Sequence, residues 1–155
     1  MIRFGRKEDM GKVVQMMPKA NVAGGLGPDG ICPLNLSHAK SVELFQTYLE
    51  NPNTCIVVHT DKNEKPAGFL LGVIFVHPFN DAIRLSKDVG WYIEEDARGR
   101  LSIANQMLAL YEDWACSMGC QFAGMAGMGK DPKVGVLYER RGYSAIETHY
   151  IKRLT

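Results

Sequence analysis

Glu94-Glu95-Asp96-Ala97-Arg98-Gly99-Arg100-Leu101-Ser102-Ile103-Ala104 is the stretch on which the reading of this chain turns. An apolar, strand-like run ends just before it at Ile93, and a helical apolar stripe begins inside it. A strand that enters a helix through one Gly and two Arg leaves the first helical N–H groups without intrahelical acceptors. Those donors, the positive end of the helix dipole and the nearby guanidinium groups make an anion site. The stretch therefore predicts an anion-binding turn and raises the question of whether the anion is a phosphate.

Downstream, Ile103, Met107, Leu110, Tyr111, Trp114 and Met118 recur at helical spacing until Gly119 stops them. Cys120–Ala126 reads as a strand, and a strand–helix–strand succession makes that pair parallel. Gly127–Asp131 is a loop, Pro132 suits the first helical position, and Lys133–Arg141 reads as a short helix closed by Gly142. Tyr143–Ala145 and His149–Leu154 read as closing strands. Upstream, Cys55–Thr60 and Pro66–Val76 form a hairpin around the turn signal Asp61–Lys65. A connection over His77–Ser86 then leads to a strand over Asp88–Ile93.

The N-terminal third alternates in the same way. Ile2–Phe4 is a short strand, and Asp9 caps a helix through Met17 whose apolar face is Val13, Val14, Met16 and Met17. Pro18 is expected to end it. Lys19–Leu36, with Gly24, Gly25, Gly27, Pro28, Gly30 and Pro33, is a long irregular segment. Ser37 caps a helix carrying Val42, Leu44, Phe45, Tyr48 and Leu49, ended by Asn51-Pro52. The order is β-α-α-β-β-β-α-β-α-β-β, an α+β (mixed α/β) arrangement, and 155 residues without a linker predict one domain over 1–155.

Composition removes several function classes. A net charge of +1 gives no global field for nucleic acid or an anionic membrane. The longest apolar run, Phe69–Val76, has the length of a strand and not of a membrane span. Met1–Asp9 lacks a signal-peptide apolar core, so a cytoplasmic protein is expected. Cys32, Cys55, Cys116 and Cys120 match no disulfide framework, and with His38, His59 and His149 they give no metal-ligand spacing; free thiols and no metal are expected. Gly24–Gly30 follows no strand and opens no helix in the register a nucleotide loop needs.

Three segments together resemble the GCN5-related N-acetyltransferase (GNAT) superfamily over most of the chain, Ile2 to about Leu154. Ile93–Arg100 is similar to the family's V-x-P-x-x-R-G-x, with Glu95 in place of the proline. Leu137-Tyr138-Glu139-Arg140-Arg141-Gly142-Tyr143 is similar to its L-Y-E-x-x-G-F/Y segment. The opening Ile2-Arg3 strand followed by Glu8-Asp9 and a helix adds to both. The usual family turn, R-x-x-G-x-G/A, has a second glycine that Arg100-Leu101-Ser102-Ile103-Ala104 lacks. Such glycine-poor turns resemble those of small GNAT proteins of bacteriophages and some bacteria, and they require Leu101 and Ile103 to point away from the phosphates.

The resemblance implies a mixed central sheet of six to seven strands with a splayed parallel pair and flanking helices. It implies acetyl-CoA (CoA) as cosubstrate, its pyrophosphate on the backbone N–H groups of Arg98, Gly99, Arg100, Leu101, Ser102 and Ile103. The pantetheine arm would lie along Asp88–Ile93 like an added strand, and the N–H of Ile93 or a neighbour would polarise the thioester carbonyl. Tyr138 would donate to the departing thiolate. For the base, Asp88 comes first, then Glu94 and His77, with an already neutral amine as the remaining option. Lys130, Lys133, Arg140 and Arg141 form a basic cluster near the 3′-phosphate. Trp91 and Tyr92 place one ring in the core and one toward the acceptor cleft. The implied reaction moves an acetyl group to a primary amine, small-molecule or protein-borne, by direct attack in a ternary complex. The rival reading is a catalytically weak or inactive acyl-CoA-binding or interaction module on the same fold, and a homodimer, common in the family, fits either.

Overall fold

Cys55, Ile56, Val57 and Val58 are consecutive and all buried, and alternate residues enter two different apolar clusters. Successive strand side chains point to opposite faces, so this run has to lie inside a sheet covered on both sides. The computed structural model, which describes residues 1–30, 33–98, 101–128 and 132–154, has that architecture. Its strands are β1 (Ile2–Phe4), β2 (Thr54–Thr60), β3 (Pro66–His77), β4 (Asn80–Ile93) and β5 (Phe122–Gly124). They lie in the order β1-β2-β3-β4-β5, with neighbours antiparallel except the parallel β4–β5 pair.

Helices α1 (Met10–Ala23) and α2 (His38–Glu50) cover one face. There Val13, Val14, Met16, Met17, Phe45 and Tyr48 pack on Ile56, Val58, Phe69, Leu71 and Tyr92. Helices α3 (Leu101–Ser117) and α4 (Pro132–Arg140) cover the other. Ile103, Met107, Leu108, Tyr111, Leu137 and Tyr138 pack on Cys55, Val57 and Leu70. Ser37 caps α2 by accepting from the Lys40 N–H, and α3 ends at Gly119, whose φ of +77° is the left-handed stop glycine adopts without strain. Among the described residues no helix is long and apolar enough to cross a membrane.

Four expectations change. The sheet has five strands among the described residues, not six to seven. Tyr143–Ala145 and His149–Leu154 are not strands: among the described residues they complete no ladder with a neighbour. Pro18 does not end the first helix: α1 runs on to Ala23, since Pro18 lies on its outer side while Val13, Val14, Met16, Met17 and the partly buried Ala20 hold it to the sheet. Burial of that face outweighs the hydrogen bond a proline forfeits. Finally, His77–Ser86 is no loop. His77 pairs with Asn80, so β3 and β4 form a long hairpin joined through Pro78 and Phe79 alone.

Candidate functional site

The site starts from an irregularity in β4. Leu71 faces Gly90, but Gly72 faces Asp88, so Val89 is an extra residue with no partner on β3. Such a bulge shifts the alternation of side chains by one position. Trp91 and Ile93 belong to the α3–α4 face, and a regular strand would send Asp88 to the other side. The bulge returns Asp88, through its register with Gly72, to the same face as Trp91.

The same place is where the parallel pair parts. At its lower end β4 and β5 are zipped together by Gln121, whose backbone N–H donates to Arg84 O (3.0 Å) and whose side chain accepts from the Arg84 N–H (2.8 Å). Register continues through Leu85–Phe122 and Ser86–Ala123 to Lys87–Gly124, and there pairing ends. Among the described residues, no strand pairs with this edge of β4 from Asp88 to Ile93. Instead Asp88 Oδ1 accepts from the Ala126 N–H at 2.7 Å, and Tyr138 donates its hydroxyl to Ala126 O at 3.1 Å. Tyr111 donates to Gly124 O at 3.0 Å. Three side chains thus hold the departing strand by its backbone.

Burial sets the protonation of these groups. It pushes the Asp88 carboxyl up to about 6, against the opposing pull of the Ala126 N–H, its own backbone N–H and Lys87. Burial also raises Tyr138 well above the ordinary tyrosine range, and the Asp88 charge adds to it. The Tyr138 ring lies 6.0 Å from that of Trp91 and 5.7 Å from that of Tyr143, centroid to centroid. Tyr92 is buried under α1 on the opposite face, as one of the two expected ring positions.

At the upper end, the Glu94 N–H donates to Ala67 O at 2.9 Å. Alternation along an antiparallel ladder then turns the N–H and C=O of Ile93 to the other, open edge. Arg98 confirms the direction for the carbonyl, donating from Nε to Ile93 O at 2.7 Å while its guanidinium sits 4.8 Å over the Tyr92 ring. Arg98 therefore braces the turn. Leu101 opens α3 and is exposed, Ser102 is exposed, and Ile103 is buried in the core with Met107. Ile103 thus turns away from the helix N-terminus as a glycine-poor turn requires, whereas Leu101 stays at the surface. Gly99 and Arg100 lie outside the described residues.

Two alternative bases are placed elsewhere. Glu94 is held by Lys19 Nζ at 2.6 Å and by the Tyr92 hydroxyl at 3.3 Å. His77 closes the β3–β4 turn, accepting on Nδ1 from the Phe79 N–H, five residues along β3 from the partner of Asp88. In the basic cluster, Arg141 is committed to Glu112 and Asn105 on α3, Arg140 is exposed, and Lys130 lies outside the described residues. Among the described residues no group of His, Cys, Asp and Glu is placed to hold a metal ion. Sequence reasoning did not find Ala126 or the Val89 bulge. A backbone peptide carries no side-chain signal, and a bulge is visible only once the register with β3 is known.

No family model matches the chain, and no curated protein matches it in sequence. Solved structures do match it in shape. A transcriptional regulator from Bacillus halodurans C-125 superposes with a TM-score of 0.79 at 19% identity, over 99% of each chain. The structure of AAC(6')-Iy in complex with the bisubstrate analog CoA-S-monomethyl-acetylneamine gives 0.77 at 14% identity, over 100% of this chain and 97% of that one. A GNAT family acetyltransferase from Staphylococcus aureus gives 0.68 at 12% identity, over 99% of this chain and 98% of that one. Identities this low speak to architecture alone: the chain shares its fold with these structures, among them proteins described as acetyltransferases.

Proposed function

We propose that the chain is an N-acetyltransferase that uses acetyl-CoA and delivers the acetyl group to a primary amine by direct attack in a ternary complex. The observation that carries this reading is the fork between β4 and β5, with the Ile93 N–H on its open edge and Asp88 and Tyr138 at its base. The residues present fit the cosubstrate. A strand edge without a partner suits an extended amide chain, and the exposed start of α3 at Leu101 and Ser102 suits a diphosphate. Acetyl-CoA supplies the activated thioester when bound.

Each residue then has a task that follows from its surroundings. The Ile93 N–H, aimed into the fork, donates to the oxygen on which charge develops. The Tyr138 hydroxyl moves from Ala126 O to the departing sulfur; its raised pKa makes it a hydrogen-bond donor and not a strong acid. Asp88 at about 6 is mostly ionised at neutral pH and accepts the ammonium proton, directly or through water. Arg98 occupies the Ile93 carbonyl, so an amide N–H pairing there has to displace its Nε. The end of α1 borders the loop after β5, since a Cβ on Gly24 would lie 3.1 Å from Met128 Cε.

The test is acetyl-CoA binding by calorimetry together with CoA-thiol release over a panel of small-molecule and peptide amines. Amine-dependent release by the wild type, reduced in Tyr138→Phe, is the expected result. Binding without turnover over the whole panel would instead establish an acyl-CoA-binding module.

A further inference from the structure

Ser86 is 1% exposed, and among the described residues its hydroxyl has no hydrogen-bond partner. A buried hydroxyl left unpaired costs free energy that an alanine at the same place would not. Its neighbours say what the hydroxyl is for. Ser86 faces Ile74 in the β3–β4 ladder and Asp88 faces Gly72, with no bulge between them. The two side chains therefore leave β4 on the same side, two positions apart. That side lies under α3, because a Cβ on Gly72 would stand 2.7 Å from Tyr111 Cε2. Lys87, between them, turns to the other face, where its ammonium lies 5.6 Å from the centroid of the Phe75 ring.

Tyr111 is the second neighbour. Its hydroxyl hydrogen is committed to Gly124 O at 3.0 Å, so toward Ser86 its oxygen can only accept. Burial raises Tyr111 well above the ordinary tyrosine range and the Ser86 hydroxyl opposes that rise. The two oxygens are thus within reach of each other without an aligned hydrogen bond. Along the strand stands Asp88, whose Oδ1 takes the Ala126 N–H at 2.7 Å. A serine hydroxyl carries one hydrogen and rotates to suit its acceptor. It has two acceptors to choose between, and of these Asp88 is the one that changes charge near neutrality.

We infer that Ser86 is a positioning residue for Asp88: its hydroxyl donates to the carboxylate when Asp88 is ionised and turns toward Tyr111 Oη when Asp88 is protonated. A charge-assisted hydrogen bond outweighs a neutral one, so the hydroxyl follows the charge. In holding the carboxylate that takes the acceptor's proton, this role rests on the acetyl-transfer reading; its effect on the titration of Asp88 does not. The other titratable groups around Asp88 keep their charge through that titration. Lys87 on β4 is a cation, and β3 contributes only Gly72. Burial holds Tyr111 on α3 and Tyr138 on α4 above the ordinary tyrosine range and pushes the thiol of Cys55 on β2, behind Tyr111, up to about 12.

The carboxyl carbon signal of Asp88, followed by NMR against pH on the full chain, reads this directly and needs no turnover. Ser86→Ala should raise its midpoint by about one pH unit. The rising limb of kcat/KM should move with it while the KM for acetyl-CoA stays unchanged, and Ser86→Thr, which keeps the hydroxyl, should restore both. In urea melts Ser86→Ala should lose more stability at pH 7.5 than at pH 4, a difference that should vanish in the Asp88→Asn background. An Asp88 midpoint that Ser86→Ala leaves in place overturns the inference, and so does a pH-dependent loss that persists with Asp88→Asn. If the added methyl of Ser86→Thr unfolds the chain, the Ser86→Ala titration decides alone. A wild type without turnover whose Asp88 midpoint still moves in Ser86→Ala refutes the acetyl-transfer reading and supports the hydrogen bond.

Discussion

Asp88 and Tyr138 hold opposite ends of one residue: Ala126 gives its N–H to the Asp88 carboxylate at 2.7 Å and receives the Tyr138 hydroxyl on its carbonyl at 3.1 Å. The two groups proposed for proton transfer are thus linked through one residue, whose N–H and C=O belong to the successive peptide planes on either side of its Cα. A residue from a strand and a residue from a helix meet because both read the same stretch of backbone. Their separation is as rigid as that backbone is.

Tyr138→Phe keeps the ring in its cluster and removes only the donor. The lost hydrogen bond to Ala126 costs about 1 kcal/mol of stability. Loss of donation to the leaving sulfur should lower kcat by about a hundredfold with acetyl-CoA affinity unchanged. Steady-state thiol release, with calorimetry for binding, checks both. A proportional loss of affinity would assign Tyr138 to packing alone.

Asp88 makes stability and activity run in opposite directions with pH. Its carboxyl is near 3.8 in the unfolded chain and about 6 in the folded one, raised by burial. Between those values the folded chain binds more protons, so stability falls as pH rises, by on the order of 3 kcal/mol across the window. Asp9 and Asp61 are held below the ordinary carboxylate value and titrate under this window. For Asp9 burial pulls upward, but hydrogen bonds from Arg3 and the Arg6 N–H outweigh it; for Asp61 the Lys65 N–H leads. Asp88→Asn keeps an oxygen for the Ala126 N–H and removes the charge. Urea melts at pH 4, 5, 6 and 7.5 should show the variant flatter than wild type and more stable above pH 6. In kcat/KM the wild type should show a rising limb near pH 6 that the variant lacks. A variant less stable than wild type at pH 7.5 would contradict the burial argument.

How far all this was legible in the sequence depends on whether a signal was local. The α3 stripe, the β2–β3 hairpin and the parallel step from β4 to β5 follow from periodicity and order, and they stand. Tyr138 and Asp88 could be singled out because each has a side chain that chemistry recognises. Their meeting at Ala126 could not, since it rests on the bulge at Val89, a fact of register between β3 and β4. Pro18 and the Pro78-Phe79 turn misled for a related reason. Each is a strong local breaker; around Pro18 the burial of flanking residues decided the outcome, and around Pro78-Phe79 the backbone ladder that continues from Val76–Arg84 to His77–Asn80 did. The closing strands failed differently: the alternation of Ile146, Tyr150 and Leu154 is present, but a strand is a relation between two segments, and among the described residues none pairs with this one.

The position of α4, and therefore of Tyr138, depends on Glu112. Its carboxylate accepts both Nε (3.0 Å) and Nη2 of Arg141 and the Tyr143 hydroxyl (2.9 Å). Such a two-pronged charge-assisted pair is stronger than a surface ion pair. Glu112→Ala should lower stability by about 2 kcal/mol, read as a fall in Tm of about 4–8 °C. Combined with Arg141→Met, which no longer leaves a half-buried cation unpaired, the loss should be smaller than the sum of the two single losses. Additive losses would show that the pair is not coupled.

Two glycines flank the bulge on opposite faces of the sheet, and they should respond oppositely to a methyl group. A Cβ on Gly72 would stand 2.7 Å from Tyr111 Cε2 and 2.9 Å from Cys55 Sγ, both in a filled core. Tyr111 cannot yield without straining its hydroxyl from Gly124 O, the bond that seats β5. Gly72→Ala should therefore cost about 1–3 kcal/mol by overpacking and reduce acetyl transfer together with stability. A Cβ on Gly90 would meet nothing nearer than Phe69 Cε2 at 3.6 Å, ordinary van der Waals contact. Gly90→Ala should stay within about 0.5 kcal/mol of wild type. Thermal melts of the two variants beside wild type test whether Tyr111 fills the space behind the fork as described; equal shifts would remove it from that role.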